Sequence, residues 1–285
     1  RSQLLHGSGA GNRTPAFLIQ TQFSGETSSD YPYSVLGLEQ PIGVTGSSIR
    51  RPEIATGRIP AQRPEQVEVY VSKILAYEQL NQGGSTPANH VLAIADGTDP
   101  AFRVDAQTFL GELPASIRSD LLVSKSGEVG FNEQVKSGLD QGNWLVYYFG
   151  HGSLQMWGKD ALFSVQDVPS LRKQVNLPVV VNLTCLTGLF THPRQVSLAE
   201  ALLFEPEAGA VAVLAPTSLT LPEDQSYLSY GIAEALLNHP NARMGEAVLF
   251  AQNKILNEKP EAQDVLRTFL LFGDPAFVIQ RPSVP

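Results

Sequence analysis

The sequence predicts an α/β protein with a mostly parallel sheet flanked by helices and a smaller N-terminal α/β subdomain. From residue 90 onward, short apolar segments alternate with helical patterns, as in chains that form parallel sheets. These segments are apolar at successive positions, which is typical of strands buried on both faces. Among the 285 residues, 42% are hydrophobic and 17% are charged, so the chain can form a large core.

The first 86 residues predict the smaller subdomain, which we expect to be truncated. Val67, Val71, Ile74 and Leu75 recur at helical spacing, and Pro64 stands where helices prefer to begin. In chain order, the predicted elements are a strand at 16–23, loops at 24–53, a short strand with a turn at 54–60, a helix at 64–80 and a linker at 81–87.

Residues 87–285 predict the main domain, in which strands and helices alternate. The predicted strands are 90–96, 121–124, 143–150, 177–184, 209–218 and 268–273. The predicted helices are 103–112, 128–140, 167–175, 197–205, 223–238 and 243–257. Such alternation predicts one sheet covered by helices on both faces.

Composition excludes several classes of function. The net charge of -8 argues against general binding to nucleic acid or anionic membranes, which needs a basic surface. No apolar run reaches the roughly 18–20 residues of a membrane span, so we expect no direct membrane insertion. Cys185 is the single cysteine, which excludes an intramolecular disulfide and a Cys-rich zinc site. The N-terminus lacks a signal-peptide pattern, and we expect the chain to be a processed or excised piece of a larger protein.

Reactive side chains follow the ends of several predicted strands. His151 comes after NWLVYYFG, Cys185 after LPVVVNLT, and Asp96 ends HVLAIAD. Thr217 and Ser218 end the strand GAVAVLAPTS. Because parallel strands share one direction, we expect these ends to lie along one edge of the sheet, where α/β proteins bind ligands.

His151 and Cys185 form a chemically useful pair. The thiolate is the nucleophile, an imidazolium nearby lowers the pKa of the thiol, and the imidazole can return a proton to the leaving amine. Gly152 has no side chain, and its N–H can join the Cys185 N–H in an oxyanion hole. Taken singly, Cys185 reads as a small buried residue and His151 as a turn residue, but the joint pattern favours a catalytic dyad.

Several stretches resemble the gingipain-type cysteine peptidases, peptidase family C25, a bacterial branch of the caspase-like superfamily. The stretches are YYFGHGSLQMWG, VVVNLTCLTGLF, SLAEALL, GAVAVLAPTS, LLFGDPAF, ATGRIPA, KILAYEQ and VLAIAD, and the likeness runs from about residue 30 to residue 278. The resemblance implies a caspase-like fold and hydrolysis of peptide bonds through a thioester acyl-enzyme. It implies a protein or peptide substrate, and secretion or display at the cell surface.

Carried over position by position, the resemblance makes Cys185 the nucleophile and His151 the acid–base residue. Asp96 falls where the family can place an acidic residue that orients the histidine, although known gingipains have Glu there. Asp105 falls near the acidic residue that binds a basic P1 side chain, so the resemblance implies a preference for Arg or Lys. The alternatives are a strand-end cap for Asp96 and a solvated helix carboxylate for Asp105.

Three further residues are candidates for substrate binding. Trp157 follows the histidine loop and either walls the substrate cleft or packs in the core. Thr217 and Ser218 either pair with the substrate backbone or form a turn. The sequence leaves the choice between these readings open.

No organic cofactor is expected. The G-x-G-x-G pattern of Gly7, Gly9 and Gly11 neither follows a strand nor opens a helix, which argues against a dinucleotide site. The histidines show no metal-binding spacing. The resemblance makes structural calcium an option, with acidic residues of 96–105 as its ligands, although ordinary solvated carboxylates are the favoured reading.

Three alternative functions stay open at this point. A sortase-like transpeptidase would use the same dyad and transfer the acyl group to an amine. A non-catalytic binding or scaffold module would keep the caspase-like fold without the activity. An unrelated nucleotide-binding α/β protein would need a phosphate-binding glycine loop after its first strand, and the sequence has none.

Overall fold

The computed structural model describes residues 14–36, 49–82, 88–125, 127–174, 176–239 and 241–280. Within these ranges the strands are β1 Phe17–Thr21, β2 Gly25–Ser29, β3 His90–Ala95, β4 Arg118–Val123, β5 Leu145–Phe149, β6 Gly152–Ser153, β7 Met156–Trp157, β8 Phe163–Ser164, β9 Val179–Leu183, β10 Ala212–Pro216 and β11 Phe269–Phe272. The α-helices are α1 Pro64–Gln82, α2 Pro100–Gly111, α3 Phe131–Leu139, α4 Leu198–Phe204, α5 Pro222–Asn238, α6 Met244–Glu258 and α7 Gln263–Thr268.

A six-stranded sheet with the order β11-β10-β9-β5-β3-β4 forms the centre of the molecule. Its strands pair in parallel except for β11, which runs antiparallel to β10. The chain adds β4 on one side of β3 and then places β5 on the other side, so the strand order reverses between β3 and β5. Such a reversal opens a crevice at the carboxyl ends of the two strands.

Helices cover both faces of this sheet, as the apolar strands predict. In β3, Val91 packs in one buried cluster with Phe109 of α2, and Leu92 packs in a second cluster with Val135 of α3. The first cluster also contains residues of α5, α6 and α7, and the second contains residues of α4. The predicted mixed α/β fold with a mostly parallel sheet is therefore confirmed.

The N-terminal elements pack directly onto the rest of the chain. Tyr31, Ile74 and Tyr77 belong to the same buried cluster as the central strands. The linker predicted at 81–87 is shorter than expected, since α1 continues to Gln82. Residues 83–87, which include the predicted domain boundary, lie outside the described residues, as does the glycine pattern at 7–11. Among the described residues, no helix has the length and apolar character needed to cross a bilayer.

The structure corrects several predicted elements. Residues 24–53, predicted as loops, contain β2 and a 3-10 helix at Tyr31–Ser34, because the polar segment GETSS pairs with β1 rather than with a core strand. The helix predicted at 167–175 is only a 3-10 turn at Val168–Ser170. The short sheet β6-β7-β8 and helix α7 were not predicted, since these short segments lack a sustained period.

Candidate active site

The strand register brings His151 and Cys185 to the same edge of the sheet. Strands β5 and β9 are parallel neighbours, and Phe149 pairs with Leu183. His151 and Cys185 each follow their paired residue by two positions. Gly150 N–H donates to the carbonyl of Leu183 at 3.2 Å, so the segments that follow β5 and β9 stay side by side as they leave the sheet.

Gly152 lies where the loop after β5, which carries His151 (the histidine loop), meets the loop after β9, which carries Cys185 (the cysteine loop). A Cβ atom at this position would lie 2.3 Å from Thr184 Oγ1 and 3.2 Å from the Cys185 carbonyl oxygen. Such a contact with Thr184 is far inside van der Waals distance, so only glycine lets the histidine loop approach the cysteine loop this closely. Because Gly152 has no side chain, Thr184 and the Cys185 carbonyl can occupy the space beside it.

The backbone of His151 is fixed from both sides. Its N–H donates to Asp96 Oδ2 at 3.3 Å. Its carbonyl accepts from Tyr148 Oη at 2.6 Å and from Gly158 N at 2.7 Å. The imidazole is half-buried and packs edge-on against Phe102 of α2, with ring centroids 5.3 Å apart. These contacts set the position of the ring before any substrate binds.

The side chain of Asp96 contacts the backbone of His151 and not its imidazole ring. Asp96 as a whole residue is 1% exposed. Its Oδ1 accepts from the N–H of Thr98 at 3.0 Å and from Thr98 Oγ1 at 2.7 Å, and its Oδ2 accepts from His151 N–H. Asp96 therefore combines the predicted strand-end cap with a contact that holds the histidine loop.

Cys185 lies at a sharp turn. Leu186, the next residue, has a φ of 62°, which is a left-handed backbone conformation that residues other than glycine rarely adopt. Thr187 N–H donates back to the Cys185 carbonyl at 2.8 Å, and Leu186 N–H donates to the Ser218 carbonyl at 3.2 Å. The turn is thus braced by the loop that follows β10.

The thiol of Cys185 is partly exposed and donates a hydrogen bond to the Thr220 carbonyl at 3.7 Å. Burial raises its pKa above the usual range, because a partly desolvated site disfavours the charged thiolate. At neutral pH the free thiol is therefore mainly protonated. A base must remove the proton when the sulfur attacks.

The N-terminus of α4 ties the two loops together. Leu198 N–H donates to the carbonyl of Leu154 at 2.9 Å, and Ala199 N–H donates to the carbonyl of Thr187 at 3.0 Å. Ser197 and Glu200 close the helix end as a capping box. Since Leu154 follows His151 and Thr187 follows Cys185, one helix end sets the spacing of both loops.

Asp105 lies on α2, one turn beyond Phe102, and is half-buried against α5. Burial raises the pKa of its carboxyl group, and the nearby hydroxyl of Ser226 in α5 opposes this shift. Because residues three apart share one face of a helix, Asp105 lies on the face of α2 that contacts the histidine ring. Asp105 is thus one helical turn away from the contact between Phe102 and the His151 ring.

The structure places Trp157 in the interior. Its indole is fully buried and stacks on Tyr148 with centroids 4.6 Å apart. Its Nε1–H donates to Asn182 Oδ1 at 2.9 Å. Tyr148 in turn holds the His151 carbonyl, so Trp157 supports the histidine loop from beneath.

Thr217 and Ser218 are also buried, and the hairpin β1–β2 contacts both of them. Thr217 Oγ1 donates to the Ser28 carbonyl at 2.6 Å, and Ser218 Oγ bonds Ser24 Oγ at 2.9 Å. In this structure both hydroxyls are therefore bonded to the protein itself. Sequence reasoning missed this hairpin and Thr220, because nothing in their local pattern points to Cys185.

No three His, Cys, Asp or Glu side chains come together as metal ligands within the ranges that the structure describes. Asp99, one of the acidic residues considered for calcium, caps α2 by accepting from Ala101 N–H at 2.9 Å. Asp96 accepts hydrogen bonds from Thr98, and Asp105 lies near Ser226 of α5. This arrangement does not fit a calcium site built from the three carboxylates.

Two solved structures of gingipains have folds similar to that of this chain. The structure of the Arg-specific cysteine proteinase gingipain R is similar, with a TM-score of 0.68 and 18% identity over 89% of this chain and 60% of that one. The complex of pro- and mature domains of RgpB from Porphyromonas gingivalis gives a TM-score of 0.69, with 18% identity over 88% of this chain and 60% of that one.

A more distant likeness is to the separase–securin complex of Saccharomyces cerevisiae. It has a TM-score of 0.50 and 13% identity over 77% of this chain and 14% of that one. At these identities the structural likeness shows the fold, which is caspase-like. The chain spans about 60% of the length of the gingipain chains that it matches.

Comparison by sequence with curated proteins finds no significant match. The model of peptidase family C25, in contrast, matches residues 2–280, nearly the whole chain. The paired ends of β5 and β9, the caspase-like sheet and this match agree with one another. The chain belongs to peptidase family C25.

Proposed function

We propose that this chain is a cysteine endopeptidase in which Cys185 attacks the peptide carbonyl and His151 transfers the proton. The observation that carries the proposal is the meeting of the two loops at Gly152, one residue beyond His151 and within contact of the Cys185 carbonyl. Membership of peptidase family C25 supports the same activity.

The reaction begins with attack of Cys185 Sγ on the scissile carbonyl carbon. His151 accepts the thiol proton, which the raised pKa of the thiol makes necessary. A carbon–sulfur bond forms, and the carbonyl oxygen becomes an oxyanion. The carbon–nitrogen bond then breaks as the imidazolium gives its proton to the leaving amine, and a thioester remains.

Backbone N–H groups of Gly152 and Cys185 are suited to hold the oxyanion. Gly152 pairs with Trp157 in β6–β7, and the adjoining ladder bond runs from Gly158 N to the His151 carbonyl. In an antiparallel ladder this makes Gly152 a non-hydrogen-bonded position, so its N–H points away from β7. That orientation supports its use by a substrate.

Water completes the cycle. His151 removes a proton from a water molecule that attacks the thioester carbonyl, and the carbon–sulfur bond breaks. The acid product leaves, and the thiol of Cys185 recovers its proton from the imidazolium. An amine in place of water would give the transpeptidase outcome, which an added amine nucleophile would reveal as a ligated product.

We propose Asp105 as the residue that selects a basic P1 side chain. It lies one helical turn from Phe102, which contacts the His151 ring, and a partly buried carboxylate pairs well with a cation. Asp105→Asn should reduce cleavage after Arg and Lys by at least tenfold and leave cleavage after neutral residues unchanged. Asp99→Asn is the matched control, because asparagine also caps a helix.

The test is cleavage of fluorogenic peptides that differ only at P1, by this chain and by Cys185→Ala, with calcium and with a chelator. Cleavage that disappears in Cys185→Ala supports the peptidase. Equal cleavage by both proteins, or none by a folded wild-type chain that has been freed of any bound inhibitor, argues against it. A loss of activity or stability with the chelator would support the structural calcium that the resemblance implies.

A further inference from the structure

Gln225 is a buried amide that the proposed reaction does not use. It lies in the first turn of α5 and is 4% exposed. Its Nε2 donates to the Thr184 carbonyl at 3.1 Å and to Thr220 Oγ1 at 2.8 Å. Both acceptors adjoin Cys185, because Thr184 precedes it in the chain and the Thr220 carbonyl accepts from its thiol.

The turn at Cys185 needs such support. The left-handed conformation of Leu186 is costly for a branched side chain, and it persists only where the surroundings hold it. The loop after β10 supplies this support through the Ser218 carbonyl, which accepts from Leu186 N–H at 3.2 Å. The same loop supplies the Thr220 carbonyl to the thiol. A shift of this loop would therefore disturb both contacts.

A glutamine side chain suits this position chemically. Its amide offers two N–H donors, and the two acceptors nearby use both. It also carries no charge, so it does not disfavour the thiolate. Glutamate has the same shape but only accepts hydrogen bonds when ionised, and methionine fills the same space without any donor.

We infer that Gln225 is a positioning residue for the nucleophile. Its amide joins the peptide before Cys185 to the loop that carries the Thr220 carbonyl, and so fixes the direction of the thiol and of the Cys185 N–H. This inference rests on the proposed function, because it takes Cys185 to be the nucleophile. Because Gln225 is buried, it acts through its two hydrogen-bond partners and not by contact with substrate.

The test compares Gln225→Met with Gln252→Met. Gln252 is a buried glutamine of α6 that donates to the Leu266 carbonyl at 3.3 Å, away from both catalytic loops. We expect Gln225→Met to lower kcat at least tenfold with little change in KM. We also expect it to shift the pH midpoint of Cys185 alkylation by iodoacetamide by half a unit or more. Gln252→Met should change neither quantity.

Thermal unfolding of both variants separates positioning from stability. If Gln225→Met loses as much stability as Gln252→Met but keeps the wild-type kcat and alkylation midpoint, the positioning role is overturned. If Gln225→Met does not fold, Thr220→Val replaces it, since valine removes the hydroxyl that bonds the amide. This variant should show the same changes, and wild-type behaviour would overturn the inference.

The alkylation profile distinguishes failure of this inference from failure of the proposed function. It reports on the thiol whether or not any peptide is cleaved. A wild-type chain that cleaves no peptide would count against the peptidase. A Gln225-dependent alkylation midpoint in that same chain would still support the positioning of Cys185.

Discussion

At the scale of single residues, the reactivity of Cys185 depends on how its proton leaves. Its thiol bonds a neutral carbonyl, and burial raises its pKa. This differs from cysteines whose thiolate is held by a preformed ion pair, with pKa values far below the ordinary value of about 8.5. The site is therefore suited to proton removal during attack.

The first prediction concerns the pH dependence of thiol labelling. Because the raised pKa favours the protonated form, the thiolate fraction should still be rising above the ordinary pKa of about 8.5. Alkylation of Cys185 by iodoacetamide should therefore accelerate steadily from pH 6 to pH 9. A rate that is already constant below pH 7 would indicate a preformed thiolate and would contradict the proposed proton transfer.

A second prediction tests the contact between the two catalytic loops. A Cβ atom at Gly152 would meet Thr184 Oγ1 at 2.3 Å, so Gly152→Ala must push the loops apart. Misplacement by about 1 Å can cost about 100-fold in rate, and kcat/KM should fall by at least that factor. Gly111→Ala, whose Cβ would meet nothing within 4 Å, should leave cleavage unchanged. Near-normal activity of Gly152→Ala would refute this role.

At the scale of elements, helix α4 sets the spacing of the catalytic loops through its first turn. Glu200 in this turn is 2% exposed and accepts from Ser197 N–H at 2.9 Å and from Ser197 Oγ at 2.7 Å. Burial raises the pKa of its carboxyl group to about 7, against the opposing effect of these hydrogen bonds. The helix end that joins both loops thus contains a carboxyl group that titrates near neutrality.

Glu200 should make stability depend on pH. Its folded pKa of about 7 lies above the unfolded value of about 4.3, so the folded state binds the proton more tightly. The stabilisation is complete below about pH 4.3 and is lost as the pH rises through about 7, with a magnitude of about 4 kcal/mol. Glu200→Gln keeps the capping acceptor and should remove this loss.

Urea unfolding at pH 5 and pH 7.5 measures the effect. The stability of Glu200→Gln relative to wild type should increase with pH by up to about 3 kcal/mol. Glu246→Gln is the matched control, since Glu246 occupies the same capping position in α6 but is exposed. If the two variants depend on pH alike, burial of Glu200 does not produce the effect.

Which elements the sequence predicts depends on where their stabilisation comes from. The apolar strands β3, β5, β9 and β10 were predicted because burial on both faces leaves a local signal. The dyad was predicted for the same reason, since His151 and Cys185 follow two of these strands. The polar strand β2 is held by its pairing with β1 and by distant hydroxyl contacts, which no local pattern records.

The difference between local patterns and contacts with remote residues also explains which roles of the site residues the sequence did not predict. Trp157, Thr217 and Ser218 stand in the right stretches of sequence, but their partners Asn182, Ser28 and Ser24 are remote in the chain. Likewise, α1 was predicted from its spacing, yet Val67, Val71 and Leu75 are exposed, and Tyr70, Ile74 and Tyr77 form its buried face. Spacing predicts a helix, but the face that is buried depends on the neighbours.

At the scale of the whole molecule, the N-terminal segment meets the sheet at Arg58, whose side chain forms a buried ion pair with Asp30 of the same segment. Arg58 bonds Asp30 through Nε at 2.5 Å and through Nη2 at 2.6 Å. Its guanidinium also lies 4.5 Å from the ring centre of Phe190, at the end of the cysteine loop. Its backbone pairs with β11, since Arg58 N–H donates to the Leu271 carbonyl at 2.8 Å. One residue thus connects the N-terminal segment, the sheet edge and the cysteine loop.

Asp30→Asn should therefore destabilise the whole chain. The substitution removes the carboxylate that Arg58 contacts through two nitrogens, and breaking a buried ion pair typically costs about 3–5 kcal/mol. Denaturant unfolding measures this loss. Glu133→Gln, which breaks the pair between the exposed Glu133 and Lys136, should have a much smaller effect on stability. If the two substitutions lower the free energy of unfolding equally, the buried pair stabilises the fold no more than the exposed pair does.

The measurement that tests the central claim most directly is labelling by a peptide-based, thiol-directed inhibitor, followed by intact-protein mass spectrometry. We predict saturable labelling of Cys185 that is much faster than labelling of a free thiol, lost in Cys185→Ala and slowed at least 100-fold in His151→Ala. His192→Ala is the control, because the ring of His192 accepts hydrogen bonds from its own loop. Labelling that is not saturable and does not depend on His151 would contradict a Cys185–His151 catalytic dyad.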